Sequence, residues 1–363
     1  MKKTSFMAVA ALAGAVALSL AGCASGGGGT PTESGDGGDA AVGRACVILP
    51  DSASSNRWED FDRKYLQEGL EAAGFETDIQ NAQGDVQKFA TIGDQMLTKG
   101  CGVMLLVDYQ GAAPGVAEKA KAEGIPVIAY DRPFTGADYY VSFDNVKVGE
   151  LEGQMVVDGL EALGKDPATA VVVYMGGDPT DGNAAMFKEG AVSVMEAAGI
   201  TPAAEPPGVW DQAKSATNFE QALTSLGGQV DAVWSANDAN AAGVISILMK
   251  NNLRDVPISG QDAQLGALQY ILTGWQTGTV WKPVKLEADA AVATAIALLN
   301  GETPAADQEL EDGTPYIAVT PNSVGPEQVK DVVAAGDADA AELCTGDVDG
   351  VSLADACAEY GVQ

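Results

Sequence analysis

The sequence predicts an α/β protein made of two doubly wound lobes, each built on a parallel sheet. Short runs of continuous apolar residues recur along the chain, and helical patterns with apolar residues three or four positions apart lie between them. Strands that are apolar on both faces are typical of parallel sheets covered by helices on both sides. The 363 residues contain more strand–helix units than one ordinary sheet takes, which favours two lobes.

The strand pattern recurs in segments of both halves. These segments are residues 46–49, 75–80, 103–107, 127–130, 140–143, 170–175, 232–235 and 256–259. Helical spacing is clear between the first strands, for example at Phe89, Gly93, Met96 and Leu97, where Gly100 marks the helix end. The break between lobes is predicted at "VSFDNVKVGE", where a strand ends and a helical region begins.

The N-terminal segment is typical of an exported protein. In "MKKTSFMAVAALAGAVALSLAGC" two lysines precede an apolar stretch and a small-residue site, which predicts a signal peptide over residues 1–22. "LAGC" resembles the lipobox of bacterial lipoproteins, so we expect lipidation of Cys23 and anchoring to the outer face of the cytoplasmic membrane. An ordinary signal peptide is the alternative. Residues 23–41, rich in Gly, Ser and Asp, predict a flexible tether.

Composition narrows the possible functions. The formal net charge of −31 argues against nucleic acid and anionic lipid surfaces as partners. The sequence contains no histidine, so the commonest metal ligand and the commonest general base are both missing. A phosphate-cradling P-loop and a nucleophile elbow are also missing from the sequence. We therefore expect no metal site, no cofactor and no enzymatic activity.

Four cysteines follow Cys23, and an even number in an exported chain suggests disulfides. Cys46 and Cys101 each open a predicted strand. If these strands are parallel neighbours, their starts lie about 5 Å apart, within bridging distance. Cys344 and Cys357 would close a loop of about 13 residues near the C-terminus. The predicted pairs are therefore Cys46–Cys101 and Cys344–Cys357.

Polar side chains follow the ends of most predicted strands. Ligands of open parallel sheets bind at this carboxyl edge, and Asp, Asn, Gln and Arg side chains can each hold two adjacent hydroxyl groups. Trp210 is a candidate to pack against the C–H face of a sugar ring, although a core tryptophan is the alternative. Each polar residue alone also fits a loop or a helix cap, but together they indicate a ligand site. They are Arg57, Asp131, Arg132, Asp181, Asn183, Asn237, Asp238, Gln261, Asp262 and Lys282.

A more specific resemblance is carried by "NRWEDFDRKYL", "VIAYDRPF", "YYVSFDNVKVGELEGQ", "GGDPTDGNAAMFKEGA", "VDAVWSANDANAAG", "ISGQDA" and "GTVWKPVKLEA". With these stretches the chain resembles the type I periplasmic sugar-binding proteins of ABC transporters, and within them the D-xylose-binding and multiple-monosaccharide-binding proteins. The resemblance extends from residue 42 to about residue 324. It implies a monomer with two lobes joined by a three-segment hinge. The expected partners are a monosaccharide, D-xylose or a similar aldose, and the transporter permease.

The resemblance also implies which residues contact the sugar. The family's hydrogen-bonding positions are matched by Arg57, Asp131, Arg132, Asn183, Asn237, Asp262 and Lys282. Trp210 matches the stacking tryptophan, and Asp181, Asp238 and Gln261 match supporting positions. The family often has asparagine where this chain has Gly182, so one polar contact is expected to be missing or supplied by water.

The same resemblance implies the lobe boundaries. Crossings between lobes are expected near residues 143–145, 281–283 and 311–315. The N-terminal lobe is then 42–143, completed by about 283–312, and the C-terminal lobe is 144–282, completed by about 313–337. Residues 338–363 form a disulfide-bearing tail outside the family's usual pattern, with no function assigned to it.

Three other functions make different demands on the sequence. A sugar-acting enzyme would use paired carboxylates such as Asp131 and Asp262, but Arg132 beside Asp131 would keep that carboxylate ionised. A sugar-responsive repressor shares the fold but carries a helix-turn-helix where this chain has a signal and a tether. A sensor that presents sugar to a membrane receptor fits the same motifs. The sequence leaves transport and sensing open, as it does the identity of the monosaccharide.

Overall fold

The structure, a computed structural model, describes residues 43–52, 55 and 57–362. The predicted signal peptide, Cys23 and the predicted tether lie outside these residues. Within the described ranges, no helix has both the length and the apolar character needed to cross a membrane.

Strands and helices alternate through most of the described chain. The strands are β1 (Arg44–Leu49), β2 (Glu76–Asn81), β3 (Val103–Leu106), β4 (Val127–Tyr130), β5 (Tyr139–Phe143), β6 (Val172–Met175), β7 (Pro202–Ala204), β8 (Ala232–Ser235), β9 (Thr279–Trp281), β10 (Gln308–Glu309), β11 (Pro315–Val319), β12 (Asn322–Val324), β13 (Asp347–Val348) and β14 (Val351–Ser352). The α-helices are α1 (Arg63–Ala72), α2 (Val86–Lys99), α3 (Ala113–Ala122), α4 (Asn145–Ala162), α5 (Gly182–Ala197), α6 (Gln212–Ser225), α7 (Asp238–Lys250), α8 (Leu265–Leu272), α9 (Val284–Leu299), α10 (Val329–Ala334), α11 (Ala340–Leu343) and α12 (Leu353–Tyr360). A π-helical turn (Trp58–Asp62) leads directly into α1, and short 3-10 helices occupy Pro167–Thr169 and Pro326–Gln328.

The first lobe is built on a seven-stranded sheet in the order β10-β11-β5-β4-β3-β1-β2. All neighbouring strands are parallel except β10 and β11. Successive residues of β1 enter different cores: Val47 packs in the cluster with α1 and α9, and Ile48 in the cluster with α2 and α3. Both are fully buried, as expected for a parallel sheet covered on both faces.

The second lobe has a smaller parallel sheet in the order β7-β6-β8. Single bridges at Ile258 and Gln261 extend it toward the antiparallel pair β9 and β12. The predicted strand at 256–259 is therefore reduced to one bridge, because Pro257 has no N–H with which to continue the ladder. Helices α4 and α5 share one core with this sheet, and α6 and α7 share another.

The chain passes between the sheets at three places. The first lies between β5 and α4 and the second between β9 and α9, both where the sequence predicted a crossing. The third crossing, predicted at 311–315, is wrong in position. Strand β11 pairs with β5, whereas β12 pairs with β9, so the chain crosses between Val319 and Asn322. Residues 315–319 belong to the first lobe because the Tyr316 ring packs 4.4 Å from the Tyr140 ring at that sheet.

Both predicted disulfide pairings are confirmed. Cys46 in β1 is joined to Cys101, just before the neighbouring strand β3, with 5.9 Å between the Cα atoms. This bridge lies near the amino ends of the strands. Cys344 is joined to Cys357 in α12, with 5.8 Å between the Cα atoms.

The tail is part of the second lobe rather than an appendage. Helices α11 and α12 pack against α8, and Leu343 and Ala356 are buried in one apolar cluster with Leu268 and Val329. The disulfide at Cys357 lies in the same cluster. The C-terminal residues therefore hold a defined position beside α8.

Candidate functional site

Side chains from the carboxyl ends of both sheets surround one cavity. It is lined by Ser55, Arg57, Trp58, Asp131, Arg132, Asp181, Asn183, Phe187, Trp210, Asn237, Gln261, Asp262 and Lys282. All eight residues that the sequence predicted as ligand contacts are among them. This is the position at which open parallel sheets bind ligands.

Arg57 is the centre of the first lobe's side of the cavity. Its guanidinium contacts three carboxylates: Nη1 lies 2.9 Å from Asp131 Oδ2, Nη2 lies 2.6 Å from Glu287 Oε2, and Nε lies 2.9 Å from Asp62 Oδ2. All four side chains are buried. Burial lowers the pKa of Arg57, but the three carboxylates outweigh it and hold the pKa above its usual value. Arg57 is therefore a fixed cation that orients Asp131.

Asp62 and Glu287 are the functional residues that sequence reasoning missed. Asp62 lies in the π-helical turn five residues after Arg57, and Glu287 lies in the first turn of α9. Asp62 lies inside the stretch "NRWEDFDRKYL" and Glu287 inside "GTVWKPVKLEA". Both stretches carry the family resemblance, and this was a signal that could have identified the two residues. A carboxylate in a helix usually faces solvent, so the pattern alone gave no reason to place either beside Arg57.

Asp131 directly follows β4 and has a left-handed conformation, with φ of 62°. Its carbonyl accepts hydrogen bonds from the Tyr140 hydroxyl at 2.9 Å and from Asn183 Nδ2 at 2.7 Å, which hold this conformation. Burial raises the pKa of Asp131, but Arg57, Lys282 and Arg132 together lower it below its usual value. The strand thus ends abruptly in an ionised carboxylate directed at the cavity. Strain of this kind is common at ligand sites.

Asp262 occupies the equivalent place in the second lobe, also with positive φ, at 98°. Its Oδ1 lies 3.0 Å from Lys282 Nζ, and both side chains are largely buried. Burial lowers the pKa of Lys282, but Asp262 and Asp131 raise it above the usual value, so this lysine is charged. Asp238 supports the loop, since its carboxylate accepts hydrogen bonds from Gln276, Thr279 and the Gln264 amide.

Two amide side chains of the second lobe contribute complementary groups. Asn237 caps α7, because its Oδ1 accepts a hydrogen bond from the Asn240 amide at 2.8 Å. Asn237 therefore offers the cavity a donor. Gln261 donates to the Ala236 carbonyl at 2.7 Å, and its Oε1 is buried without a hydrogen-bond partner among the described residues. Because this Oε1 has almost no exposed surface, it could accept a hydrogen bond from a ligand only after the wall around it moves.

Asn183 lines the cavity but also joins the two lobes. Its Nδ2 donates to the Asp131 carbonyl, and its Oδ1 accepts hydrogen bonds from Tyr140 at 2.7 Å and from Asn145 at 3.0 Å. Beside it, Arg132 Nε lies 3.3 Å from Asp181 Oδ2 of the second lobe. These contacts favour a role in lobe closure for Asn183, in addition to the predicted ligand contact.

Gly182 has a steric reason to lack a side chain. A Cβ atom at this position would lie 2.8 Å from Pro133 Cγ of the first lobe. Asparagine at 182 would therefore hold the lobes apart unless Pro133 moved. Glycine at 182 gives up the polar contact that an asparagine side chain would make, and it lets this part of the second lobe lie closer to Pro133 of the first lobe.

The aromatic residues of the cavity are held by packing and by polar contacts. Trp210 Nε1 donates to Asp181 at 3.1 Å, and its ring packs edge-on against Phe187. Trp58, which is 2% exposed, lies beneath the guanidinium groups of Arg57 and Arg132 at 4.6 and 5.4 Å. Trp210 is thus available to a ligand ring, whereas Trp58 supports the two arginines.

The cavity between these side chains measures about 40 Å³. A water molecule needs roughly 10–15 Å³ by this measure, so the space is smaller than a monosaccharide. The polar groups are instead paired with one another, as Lys282 is with Asp262. A monosaccharide would have to separate the lobes slightly and replace some of these contacts.

A buried glutamate behind the site provides a test by pH. Glu152 is completely buried; its Oε2 accepts a hydrogen bond from Trp234 Nε1 at 2.7 Å, and its Oε1 has no partner among the described residues. Burial raises the pKa of Glu152 well above its usual value. The folded protein therefore keeps a proton that the unfolded chain loses above about pH 4.3. This contribution lowers stability as pH rises toward the folded pKa, by up to about 1.4 kcal/mol per pH unit.

Glu152→Gln is expected to remove this loss. Relative to the unchanged protein, the variant should become more stable as pH rises from about 5 to about 8, measured by urea unfolding at each pH. Glu161→Gln, on the exposed face of the same helix, is the control and should follow the unchanged protein. Parallel pH dependence for Glu152→Gln and the unchanged protein would show that Glu152 is not protonated in the fold.

The family match and the relatives of this chain agree on one protein family. Residues 46–303 match the family described as "Periplasmic binding protein domain". The chain is 35% identical over 295 residues to the D-xylose-binding periplasmic protein of Escherichia coli (strain K12), covering 78% of this chain and 87% of that protein. It is 32% identical over 285 residues to a multiple sugar-binding periplasmic receptor of Rhizobium radiobacter, covering 72% and 79%.

A solved structure agrees with the fold. The ABC transporter solute-binding protein from Clostridium phytofermentans with bound β-D-glucose superposes with a TM-score of 0.74 at 25% identity, covering 83% of this chain and 99% of that one. The matched region contains most of β1, all of β2–β9 and α1–α9, and with them the residues around the cavity. The chain therefore belongs to the periplasmic binding protein family and has the type I fold that its sequence predicted.

Proposed function

We propose that the protein is a substrate-binding protein of an ABC transporter and captures a monosaccharide, D-xylose or a similar aldose, in the cavity between its lobes. The observation that carries this proposal is the placement of Asp131 and Asp262, from different lobes, in the wall of one cavity. Asp131 follows β4 of the first lobe, Asp262 follows the single bridge at Gln261 in the second lobe, and each has a cationic neighbour, Arg57 or Lys282. Carboxylates and cations together can hold adjacent hydroxyl groups as acceptors and donors.

The remaining wall groups fit the same ligand class. Asn237 presents a donor, and Trp210 presents an aromatic face. An indole packs well against the C–H face of a sugar ring. Two of the relatives are named for binding D-xylose and multiple sugars, and the Clostridium structure contains β-D-glucose. These names support an aldose, and D-xylose is our first choice.

Binding without chemistry is the simpler proposal for this site. The low pKa of Asp131 keeps it ionised, and an ionised carboxylate cannot act as the general acid of a glycosidase. The paired cations stabilise ground-state contacts to hydroxyl groups. We propose that the protein releases its ligand unchanged to the transporter permease.

The family implies an exported protein, and we propose that a lipid on Cys23 anchors it to the outer face of the cytoplasmic membrane. The sequence "LAGC" after a lysine-led apolar stretch supports this anchor. Cys23→Ala should release the protein or leave it unprocessed. A variant that is cleaved normally and stays in the membrane fraction would overturn the anchor.

The ligand is tested with a panel of aldoses. A ligand that binds only the folded state raises the melting temperature, so thermal shifts rank D-xylose, D-glucose, D-galactose, L-arabinose and D-ribose. Calorimetric titration of the best sugar then gives its affinity and stoichiometry. A stoichiometry of one per chain is expected. If every sugar leaves melting unchanged at millimolar concentration, the proposed function is wrong.

Sensing is a second candidate, because one relative is named a receptor. A sensor would use the same cavity and present its closed form to a membrane receptor. Uptake of labelled sugar by cells with and without the gene separates the two. Normal uptake without the protein favours sensing.

A further inference from the structure

A second, larger cavity adjoins the first. It measures about 590 Å³ and shares Ser55, Arg57, Asp262 and Lys282 with the smaller cavity. We call it the vestibule. Its volume lies within the roughly 300–1,000 Å³ of small-molecule sites. The vestibule is therefore large enough for a group attached to a ligand in the first cavity.

Two aromatic side chains from different parts of the fold line the vestibule. Phe61 comes from the π-helical turn of the first lobe, and Trp281 comes from the end of β9. Both are half-buried. Trp281 Nε1 donates to Asp337 Oδ2 at 2.8 Å, which fixes the indole. Flat, partly exposed rings held in place are suited to contact the C–H face of a pyranose.

Carboxyl groups predominate among the polar side chains that line the vestibule but not the first cavity. Beyond the cations it shares with the first cavity, its described ionisable lining is acidic, comprising Asp60, Asp337, Asp339 and Glu342. Carboxylates accept hydrogen bonds from hydroxyl groups and repel anionic substituents. A neutral, hydroxyl-rich group fits this lining, whereas a sugar phosphate or a uronic acid does not.

The tail supplies one wall of the vestibule. Ala338, Asp339 and Glu342 of the tail line it together with Gly336 and Asp337 just before the tail, and all five lie after residue 303, where the matched domain ends. Packing of α11 and α12 against α8 holds this wall in place. The vestibule is thus shaped in part by the C-terminal residues of the second lobe.

We propose that the vestibule is a second sugar subsite and that the ligands of the protein include a neutral disaccharide. The first ring of the disaccharide occupies the smaller cavity, and the second ring lies between Phe61 and Trp281. This inference rests on the proposed function, because the first ring uses the monosaccharide site. The four shared residues place the junction between rings beside Arg57, Asp262 and Lys282. The tail then contributes hydrogen-bond acceptors to the second ring.

The test compares a monosaccharide with its disaccharide by calorimetric titration of the mature protein. D-Xylose and β-1,4-xylobiose are the first pair, and D-glucose and cellobiose the second. The disaccharide of the preferred sugar should bind with an affinity within about tenfold of the monosaccharide. Phe61→Ala should weaken the disaccharide about tenfold, the effect of losing one aromatic contact, and leave the monosaccharide within twofold.

Matched variants separate the subsite from general damage. Phe75→Ala removes a half-buried aromatic residue of the first lobe from a cavity that shares no residue with the first cavity or the vestibule, and it should change neither affinity. Phe61→Leu keeps apolar volume without the ring and should lie between the unchanged protein and Phe61→Ala. Thermal melting of each variant without sugar shows whether it is folded.

Three outcomes would overturn the subsite while leaving the proposed function intact. The monosaccharide could bind and the disaccharide fail, Phe61→Ala could weaken both equally, or it could weaken neither. Failure of all monosaccharides would instead overturn the proposed function, and the subsite with it. A tenfold loss of affinity in Phe61→Ala for the disaccharide but not for the monosaccharide supports the vestibule as the site of the second ring.

Discussion

Arg57→Met should destabilise the protein by about 3–5 kcal/mol, the largest stability loss that we expect from one substitution. Removing one partner of a buried ion pair leaves an uncompensated charge, which costs about this much. Arg57 contacts Asp62, Asp131 and Glu287, and the side chains of Asp62 and Glu287 are completely shielded from water. Burial already raises the pKa of Glu287 well above its usual value even with the guanidinium in place. Urea unfolding at neutral pH measures the loss.

Arg44→Met is the matched control for this prediction. Arg44 also pairs with a carboxylate, Glu76, at 2.6 Å, but both side chains are solvent-accessible. Exposed pairs contribute about 0–1 kcal/mol, so this variant should unfold almost as the unchanged protein does. Adding Glu287→Gln to Arg57→Met should recover part of the loss, since it removes one uncompensated carboxyl. Equal, small losses for Arg57→Met and Arg44→Met would show that the cluster is not buried in solution.

The central strands could be predicted from the sequence because burial on both faces leaves a continuous apolar run. β1, β3, β4 and β8 were found in this way, within two residues of their bounds. Short edge strands such as β7 carry no such run, because one side of an edge strand is exposed. Their positions depend on tertiary contacts that a local pattern does not contain.

The third crossing between the lobes was predicted at the wrong residues for the same reason, namely that its position depends on tertiary contacts. β11, "PYIAV", is a five-residue strand that either sheet could take by pattern alone. Its place beside β5 follows from Tyr316, whose ring packs on Tyr140 and whose hydroxyl donates to the Phe143 carbonyl. These contacts join residues more than 170 positions apart, so local spacing could not reveal them.

The residues that follow strands were predicted to lie together and do line one cavity, whereas the partners of Arg57 that lie in helices were not predicted. Asp131 and Asp262 stood out because charge follows an apolar run, and the sheet geometry brings strand ends together. Glu287 contacts Arg57 across 230 residues of sequence, and nothing in its own helix marks it as buried. The vestibule was missed for a related reason, since the docking of the tail on α8 depends on apolar contacts that only the fold assembles.

Asp131→Ala and Asp262→Ala should each weaken binding of the preferred aldose by roughly one to two orders of magnitude. A hydrogen bond to a charged group contributes roughly 1.5–3 kcal/mol, and each order of magnitude in affinity corresponds to about 1.4 kcal/mol. Glu118→Ala, an exposed change in α3, removes the same charge and should leave affinity unchanged. Calorimetric titration of the three variants measures the difference. Unchanged affinity in both aspartate variants would place the sugar outside this cavity.

The two aspartates should differ from other wall residues in their effect on closure. Asp131 and Asp262 lie on opposite lobes, so a sugar that contacts both stabilises the closed arrangement over the open one. Trp210, which lines the cavity and donates to Asp181, should report closure as a change in fluorescence on adding sugar. Loss of either aspartate should reduce that change at saturating sugar, because one lobe no longer holds the ligand. A full fluorescence change with weakened affinity would mean that the lobes close through Arg132–Asp181 and Asn183 alone, and that the sugar selects among closed states rather than producing them.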